Sequence, residues 1–178
     1  YEEWYHSAYD VRNATEVSPS GKYLFYPVMN NDGDYDLYRV RMNKKDAEAE
    51  KVDSDVTDYY VMEDDFIIYI KDGNKLYYTD MEDKEKLSSE ANFFRISDDE
   101  KYILYWSLNW EEGGELCVRD TNFKNDEIEI DSDVTNLYYT SDDFSTIIYQ
   151  SEDKLYVAKN FEEKEKIDAE ASDVYVEE

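Results

Sequence analysis

The sequence predicts an all-β protein with the fold of a β-propeller, and three observations carry that prediction. The five-residue stretch Asp53-Ser54-Asp55-Val56-Thr57 recurs letter for letter as Asp131-Ser132-Asp133-Val134-Thr135. Looser copies divide the chain into units of about 40 residues, a period typical of propeller repeats. Each unit holds four short runs rich in apolar and aromatic residues, bounded by Asp, Asn, Ser and Gly clusters, which indicates strands and tight turns.

The repeats assign the whole chain, 1–178, to a single propeller domain. The blades are expected at about 11–55, 56–90, 91–133 and 134–170, and 171–178 would be the first strand of a further blade. The strands are expected in four sets: 15–17, 22–26, 35–40 and 50–52; 59–61, 66–69, 76–78 and 85–87; 93–96, 102–106, 116–118 and 128–130; 137–139, 146–149, 155–157 and 165–167.

Local signals justify these elements in order along the chain. An aromatic stretch, Trp4 to Tyr9, is expected to form a short strand with no partner in its own repeat. The turn Asp72-Gly73-Asn74 is a strong hairpin signal, because Asp-Gly suits the positive φ angles of a tight turn. Two segments, 43–50 and 161–166, have helix-friendly composition, but we interpret them as charged connections between the third and fourth strands.

Composition excludes several functional classes. The 178 residues carry a net charge of -27, so a nucleic-acid backbone or an anionic lipid surface would be repelled. The 19 Tyr residues lie in alternating runs, which argues against disorder despite the high charge. No apolar run approaches the roughly 18 residues that span a bilayer. Since the chain starts at Tyr1 rather than Met, we expect an excised piece whose parent protein has a signal or membrane anchor upstream.

The residues for enzyme chemistry are sparse, so we expect a chain that is not an enzyme and has no organic cofactor. The only histidine is His6, and no Gly-x-Ser-x-Gly elbow occurs. The single cysteine, Cys117, lies within a predicted strand between Leu116 and Val118, so we expect a buried and unreactive thiol.

Calcium is the one metal that the sequence leaves open. Asn30, Asp32, Asp34 and Asp36 alternate through a predicted hairpin and could present oxygen ligands to Ca²⁺. An EF-hand loop would need a glutamate where the chain has Arg41, so we favour a plain acidic hairpin tip.

The repeated aspartates Asp53, Asp55, Asp131 and Asp133 allow a similar choice. A ring of metal ligands is one interpretation, and caps that bond to nearby backbone amides are the other. We favour the caps, because Asp at turns commonly makes such bonds.

Trp110 is the candidate for ligand binding. It lies in a long loop beside Asn109 and Glu111, where an exposed aromatic ring could stack on a sugar or anchor a protein partner. Packing within the loop is the alternative. Trp106, which alternates with Leu104, is expected in the core.

The segment Ser18-Pro19-Ser20-Gly21-Lys22, followed by Tyr23-Leu24-Phe25-Tyr26, resembles the repeat of TolB-type propellers. It is similar also to the WD40-like propeller repeats at the N-terminus of dipeptidyl peptidase IV and of prolyl oligopeptidases. Later copies, such as 97–101, lack both Pro and Gly. The acidic, tyrosine-rich composition resembles that of propeller segments in surface proteins of Gram-positive bacteria. The resemblance implies an extracytoplasmic recognition module, at the cell surface or secreted.

Four blades with a surplus strand at each end pose a problem of closure. A small four-bladed ring, a homodimer pairing two arcs into an eight-bladed ring, and blades supplied by the parent protein are the three solutions. We favour an arc completed by a second copy or by further sequence. The expected function is a non-catalytic binding or scaffold module for a protein or carbohydrate ligand. The alternative is a propeller that gates a prolyl-oligopeptidase-like peptidase, whose catalytic domain lies outside this chain.

Overall fold

The computed structural model describes residues 15–107, 112–162 and 164–168, and these ranges contain fifteen strands and no helix. No segment of these ranges is therefore a helix able to cross a membrane. The strands are β1 Glu16–Val17, β2 Tyr23–Met29, β3 Tyr35–Arg41, β4 Ala49–Asp53, β5 Val56–Val61, β6 Ile67–Lys71, β7 Lys75–Thr79, β8 Lys84–Ser88, β9 Phe93–Ile96, β10 Tyr102–Trp106, β11 Gly114–Asp120, β12 Ile128–Thr140, β13 Thr146–Ser151, β14 Lys154–Lys159 and β15 Glu165–Asp168.

These strands form three antiparallel sheets in which sequence neighbours are also neighbours in space. One sheet has the order β1-β2-β3-β4, the second β5-β6-β7-β8, and the third runs from β9 to β15 without a crossover. Many of the described connections are short turns, as expected from the Asp, Asn and Gly clusters between the apolar runs. The all-β prediction is confirmed, and both helix-friendly segments lack helix in the residues described.

The chain divides into two compact units between Asn92 and Phe93. The first unit holds two sheets, which we call blade 1 (β1–β4) and blade 2 (β5–β8). In the second unit, β12 serves two blades. Its residues from Ile128 to Val134 pair with β11 and complete blade 3, and those from Val134 to Thr140 pair with β13 and begin blade 4.

The sequence predicted two separate strands where the structure has the continuous strand β12, and the reason lies in two glycines. In the first copy of the repeat, Asp55 takes a left-handed φ of 58°, and β4 ends before β5 begins. In the second copy, Gly114 pairs with Val134. A Cβ on Gly113 would lie 2.8 Å from the carbonyl carbon of Asp133, so only glycine allows this close approach.

The turn between the first and second strands repeats in all four blades. Its fourth residue is left-handed each time, with φ of 70° at Gly21, 68° at Asp65, 53° at Glu100 and 58° at Phe144. The amide of that residue donates to the carbonyl three positions earlier at 2.8–2.9 Å in every copy. The later copies therefore keep the turn conformation without glycine, and their non-glycine residues at this position are strained.

A separate hydrophobic core supports each unit. The core of the first unit joins blades 1 and 2 through Phe25, Leu37, Tyr59 and Tyr69. The core of the second unit is larger and includes Trp106, as the sequence predicted. Its other buried members are Leu104, Leu116, Val118, Val134, Phe144, Ile147, Tyr149 and Ala158.

A tyrosine at one position of the second strand provides a common frame for the four blades. In blades 1, 2 and 4 its ring is stacked on a tyrosine directly opposite on the third strand, with centroids 5.7–6.0 Å apart. In blade 3 the opposite residue is Cys117. The four pairs are Tyr26–Tyr38, Tyr69–Tyr77, Tyr105–Cys117 and Tyr149–Tyr156.

Candidate functional site

Some of the residues singled out in the sequence fall outside the described ranges. Trp110, the predicted ligand contact, lies in 108–111, and His6 and the aromatic stretch from Trp4 lie in 1–14. The first strand expected for a further blade, at 171–178, also lies outside these ranges. The binding role of Trp110 stays a prediction.

The hairpin proposed for calcium is held together by its own side chains. The Asn30 Oδ1 atom accepts bonds from the amides of Asp32 and Asp34, both at 3.0 Å. The Asn30 amide donates to Asp36 and, at 3.1 Å, to Asp55. Asp36 pairs with Lys51 at 2.5 Å. A Ca²⁺ ion would have to compete with these contacts, and the calcium site stays a prediction.

The first aspartate of the repeated stretch caps the backbone in both copies. Asp53 accepts the amide of Ser54 at 2.8 Å, and Asp131 accepts that of Ser132 at 2.9 Å. Each is also paired with a lysine from the following blade: Lys84 bonds Asp53, and Lys164 bonds Asp131. The geometry is that of the cap interpretation, extended by an ion pair that ties consecutive blades together.

The surroundings of Asp53 favour its ionised form. Burial alone would raise the pKa of the carboxyl group, but bonds from Lys84, Lys71 and the Tyr69 hydroxyl outweigh it and lower the pKa to about 2. At Asp131 the same opposition of burial and Lys164 lowers the pKa below its ordinary value. Asp53 accepts four hydrogen bonds through its two oxygens, and each oxygen of Asp131 accepts one, so both aspartates act as structural anions.

Cys117 is buried, as the sequence predicted. Burial, helped by the nearby negative charges of Glu115 and Glu129, raises the pKa of its thiol to about 12. The free thiol is therefore a poor nucleophile at neutral pH.

The first unit has an open, polar cleft of about 610 Å³, which we call the first-unit cleft. The cleft lies at one end of blades 1 and 2. In each blade, this end carries the turn from the first to the second strand and the turn from the third to the fourth strand. Its lining is Lys22, Tyr23, Arg39, Arg41, Glu50, Asp64, Asp65, Asp80, Met81 and Glu82.

Charges of both signs are paired along the cleft wall. The Arg39 guanidinium donates through Nε and Nη2 to one oxygen of Glu50, both at 2.8 Å, and lies 4.5 Å from the centre of the Tyr23 ring. Lys22 pairs with Asp65 at 3.3 Å. Arg41 is exposed and donates its Nε to the side chain of Asn43 at 3.0 Å.

Two carboxylates of the cleft, Asp65 and Asp80, have a lowered pKa. Burial opposes the shift at Asp65, but the bonds from Ser20 and Lys22 outweigh it and lower its pKa. At Asp80, bonds from the amides of Asp83 and Glu82 lower the pKa. Such groups accept hydrogen bonds and do not serve as general acids at neutral pH.

Two charged residues of the cleft, Arg39 and Asp65, have apolar counterparts in the second unit. Arg39 follows the third-strand tyrosine of blade 1, and at the same place blade 3 has the buried Val118. Asp65 is the fourth residue of its turn, where blade 4 has the buried Phe144. Both apolar residues belong to the core of the second unit, whereas their counterparts line an open cleft.

This cleft was not predicted from the sequence, although a signal for it was present. Arg39 and Arg41 are two residues apart on β3, so they share a face of the strand. Only 19 of the 178 residues are Lys or Arg, so two arginines on one strand face stand out. The sequence does not reveal that the acidic turns of blade 2 lie opposite these two arginines, because that depends on how blades 1 and 2 pack.

Solved structures with a similar fold are β-propellers. The propeller domain of the Trilobed protease from Pyrococcus furiosus matches with a TM-score of 0.53 and 16% identity over 92% of this chain. The N-terminal domain of Nup159 matches with a TM-score of 0.52 and 13% identity over 86% of it. TolB from Acinetobacter baumannii matches over 83% with a TM-score of 0.48 and 15% identity. The sequence matches no protein-family model and no curated protein.

The chain therefore has the fold of the β-propeller class, and the fold prediction is confirmed. It spans 58%, 42% and 40% of the lengths of these three structures. At identities this low the likeness concerns the fold alone, and function has to be argued from the residues of the site.

Proposed function

We propose that this chain is a non-catalytic recognition module that binds a protein or glycan ligand through the loops around the first-unit cleft. One observation carries the proposal: Arg39 and Asp65 line an open cleft where the second unit has core residues. Apolar burial stabilises a fold, so paired charges at these positions make the first unit less stable than core residues would. A binding role for this surface explains why charges are present there.

The arrangement suits binding better than bond cleavage. The pKa of Asp65 is lowered by its bonds from Ser20 and Lys22, and that of Asp80 by backbone amides, so neither carboxyl group has the raised pKa of a general acid. Donors and acceptors alternate within a few ångströms beside the Tyr23 ring, a combination suited to hydroxyl groups of a sugar or to the charged side chains of a protein.

A location outside the cytoplasm is part of the proposal. It is supported by the TolB-like repeats and by the strongly acidic, tyrosine-rich composition, with a net charge of -27. The same charge supports the expectation that nucleic acid is not a partner.

Binding of the chain to an array of defined glycans and to a displayed peptide library would test the proposal. We expect selective binding that weakens by about tenfold or more in Arg41→Ala and Asp64→Ala, because each removes an exposed charged group at the cleft. Lys154→Ala and Glu152→Ala, an exposed ion pair of the second unit, are the matched controls. Selective binding that is unchanged in the cleft variants, or the absence of any selective binding, would contradict the proposal.

The alternative of a propeller that gates a peptidase makes a different prediction for the parent protein. There the cleft variants would change the cleavage of long substrates, with little effect on short peptides that need no gate. Equal cleavage of both substrate classes by the parent protein and its variants would speak against gating.

A further inference from the structure

A second cluster of side chains, remote in sequence from the first-unit cleft, surrounds Cys117 in blade 3. The Cys117 sulfur and one carboxylate oxygen each of Glu115 and Glu127 lie within 4.8 Å of one another. Among the described residues, this is the group of three or more Cys, His, Asp or Glu side chains whose ligand atoms converge in this way.

The cluster departs from a pattern that the other blades keep. In blades 2 and 4 the third-strand tyrosine has a lysine two residues earlier, at Lys75 and Lys154. On the neighbouring fourth strand it is registered with Lys86 or Lys166. Two residues before that partner a further lysine packs on the tyrosine ring, at 4.9 Å for Lys84 and 5.0 Å for Lys164.

In blade 3 a glutamate stands at the position of each lysine, and a cysteine stands at the position of the tyrosine. Cys117 stands in place of the tyrosine, Glu115 two residues before it, and Glu129 in register on β12. Glu127 takes the place of the lysine that packs on the ring. Three lysines around a tyrosine have become three glutamates around a cysteine.

Within residues 15–107, 112–162 and 164–168, neither Glu115 nor Glu127 has an ion-pair partner, although a cation, Arg119, follows Cys117 by two positions on β11. Like charges held this close to a buried group are destabilising unless a cation joins them. The counterpart lysines of blades 2 and 4, in contrast, are bound to Asp53 and Asp131.

The buried hydroxyl of Tyr105 is a separate reason to consider a ligand near Cys117. Tyr105 lies directly opposite Cys117, and its hydroxyl is buried without a hydrogen-bond partner among the described residues. In blade 2 the equivalent Tyr69 hydroxyl and the Lys84 ammonium bond the same carboxylate. The position of Lys84 is that of Glu127, and Tyr105 stands beside the cluster through its pairing with Cys117. An unsatisfied buried hydroxyl indicates a missing partner such as a bound ion with its water.

We propose that Cys117, Glu115 and Glu127 form a binding site for a thiophilic divalent metal ion of the zinc class. Thiolate favours Zn²⁺ over Ca²⁺ or Mg²⁺, and two carboxylates complete a three-ligand set with one position open to water. The exposed glutamates have the freedom to close the short distance that tetrahedral coordination requires. The ion displaces the thiol proton, so one proton is released for each ion bound.

Titration of the whole chain with Co²⁺ after removal of metals with a chelator tests the site, since Co²⁺ bound to thiolate absorbs in the near ultraviolet. We expect one equivalent to produce this absorption and Zn²⁺ to abolish it. Cys117→Val, which keeps an apolar side chain of similar size, should lose the absorption.

A double variant, Glu115→Gln with Glu127→Gln, leaves the buried thiol in place and should weaken Co²⁺ binding by at least about tenfold. Glu48→Gln with Glu162→Gln removes the same charge from exposed positions elsewhere and is the control. Circular dichroism confirms that each variant is folded. The proposal is overturned if the wild-type chain shows no thiolate absorption with Co²⁺, or if the double variant binds as tightly as the control.

Discussion

Asp58 places a carboxyl group where water hardly reaches it. The residue is 5% exposed, and neither carboxylate oxygen has a hydrogen-bond partner of good geometry among the described residues. Burial raises its pKa to about 8, and the amide of Tyr59 opposes this only in part. A carboxyl group in such a site is neutral in the folded protein over much of the pH range in which it is ionised in the unfolded chain.

The raised pKa of Asp58 predicts a loss of stability with rising pH. Below a pH of about 4 the group is protonated in both states; between about 4 and 8 the unfolded chain releases the proton and the folded chain does not. Asp58→Asn should remove this loss and be more stable than the wild type at pH 8, by roughly 2–4 kcal/mol.

Urea melts of the two proteins at pH 4, 6 and 8 measure the effect. The exposed Asp153→Asn serves as the control, since it should leave the pH dependence as it is in the wild type. An equal stability difference between Asp58→Asn and wild type at all three pH values would contradict the burial argument.

At the scale of the element, the turn between first and second strands is the repeating feature of the fold. Gly21 occupies its left-handed position with φ of 70°, and nothing lies within 4 Å of a Cβ built there. A side chain at this position would therefore act through backbone conformation alone, without a steric clash.

Gly21→Ala should destabilise the chain by about 1 kcal/mol, because alanine tolerates the left-handed region poorly. Gly21→Asn should cost clearly less, since asparagine adopts this conformation more readily. Urea unfolding followed by tyrosine fluorescence gives both values. Equal losses for the two variants would show that the backbone conformation is not the cause.

The sequence predicted the elements well because their signals are local. Strands β9 and β10 begin and end where the alternating apolar runs do, and Asp72 and Gly73 have the positive φ angles expected of their turn. The continuity of β12 was missed because it depends on how closely Gly113 approaches Asp133, a contact between residues that are 20 positions apart in the sequence.

The sites were harder to predict for the same reason. The cap by Asp53 is local and was foreseen, whereas its bond to Lys84 joins residues 31 positions apart. The cluster around Cys117 appears only when the pairing of β11 with β12 brings the Glu127 carboxylate close to Cys117 and Glu115. The calcium hairpin, the role of Trp110 and the pairing of two copies stay predictions.

At the scale of the whole molecule, charge dominates. A net charge of -27 on 178 residues means that unpaired carboxylates repel one another in the folded state more than in the expanded chain. Screening by salt weakens such repulsion, because the Debye length falls from about 30 Å at 0.01 M to about 3 Å at 1 M ionic strength.

The melting temperature should therefore rise by several degrees between about 0.01 M and 0.5 M sodium chloride. Tetramethylammonium chloride should produce a similar rise, because screening does not depend on the identity of the cation. A rise confined to millimolar Ca²⁺, and reversed by EDTA, would instead point to the calcium hairpin at Asn30. An unchanged melting temperature in both salts would show that repulsion does not limit stability.

The shared strand β12 also determines how the second unit comes apart. Its amides belong to two blades, so any opening that frees it deprives β11 and β13 of their neighbours together. Hydrogen exchange of blades 3 and 4 should then proceed as one cooperative event. In the first unit, β4 and β5 are separate strands, with a turn at Asp55 between them. One of these blades can therefore fray while the other keeps the hydrogen bonds between its strands.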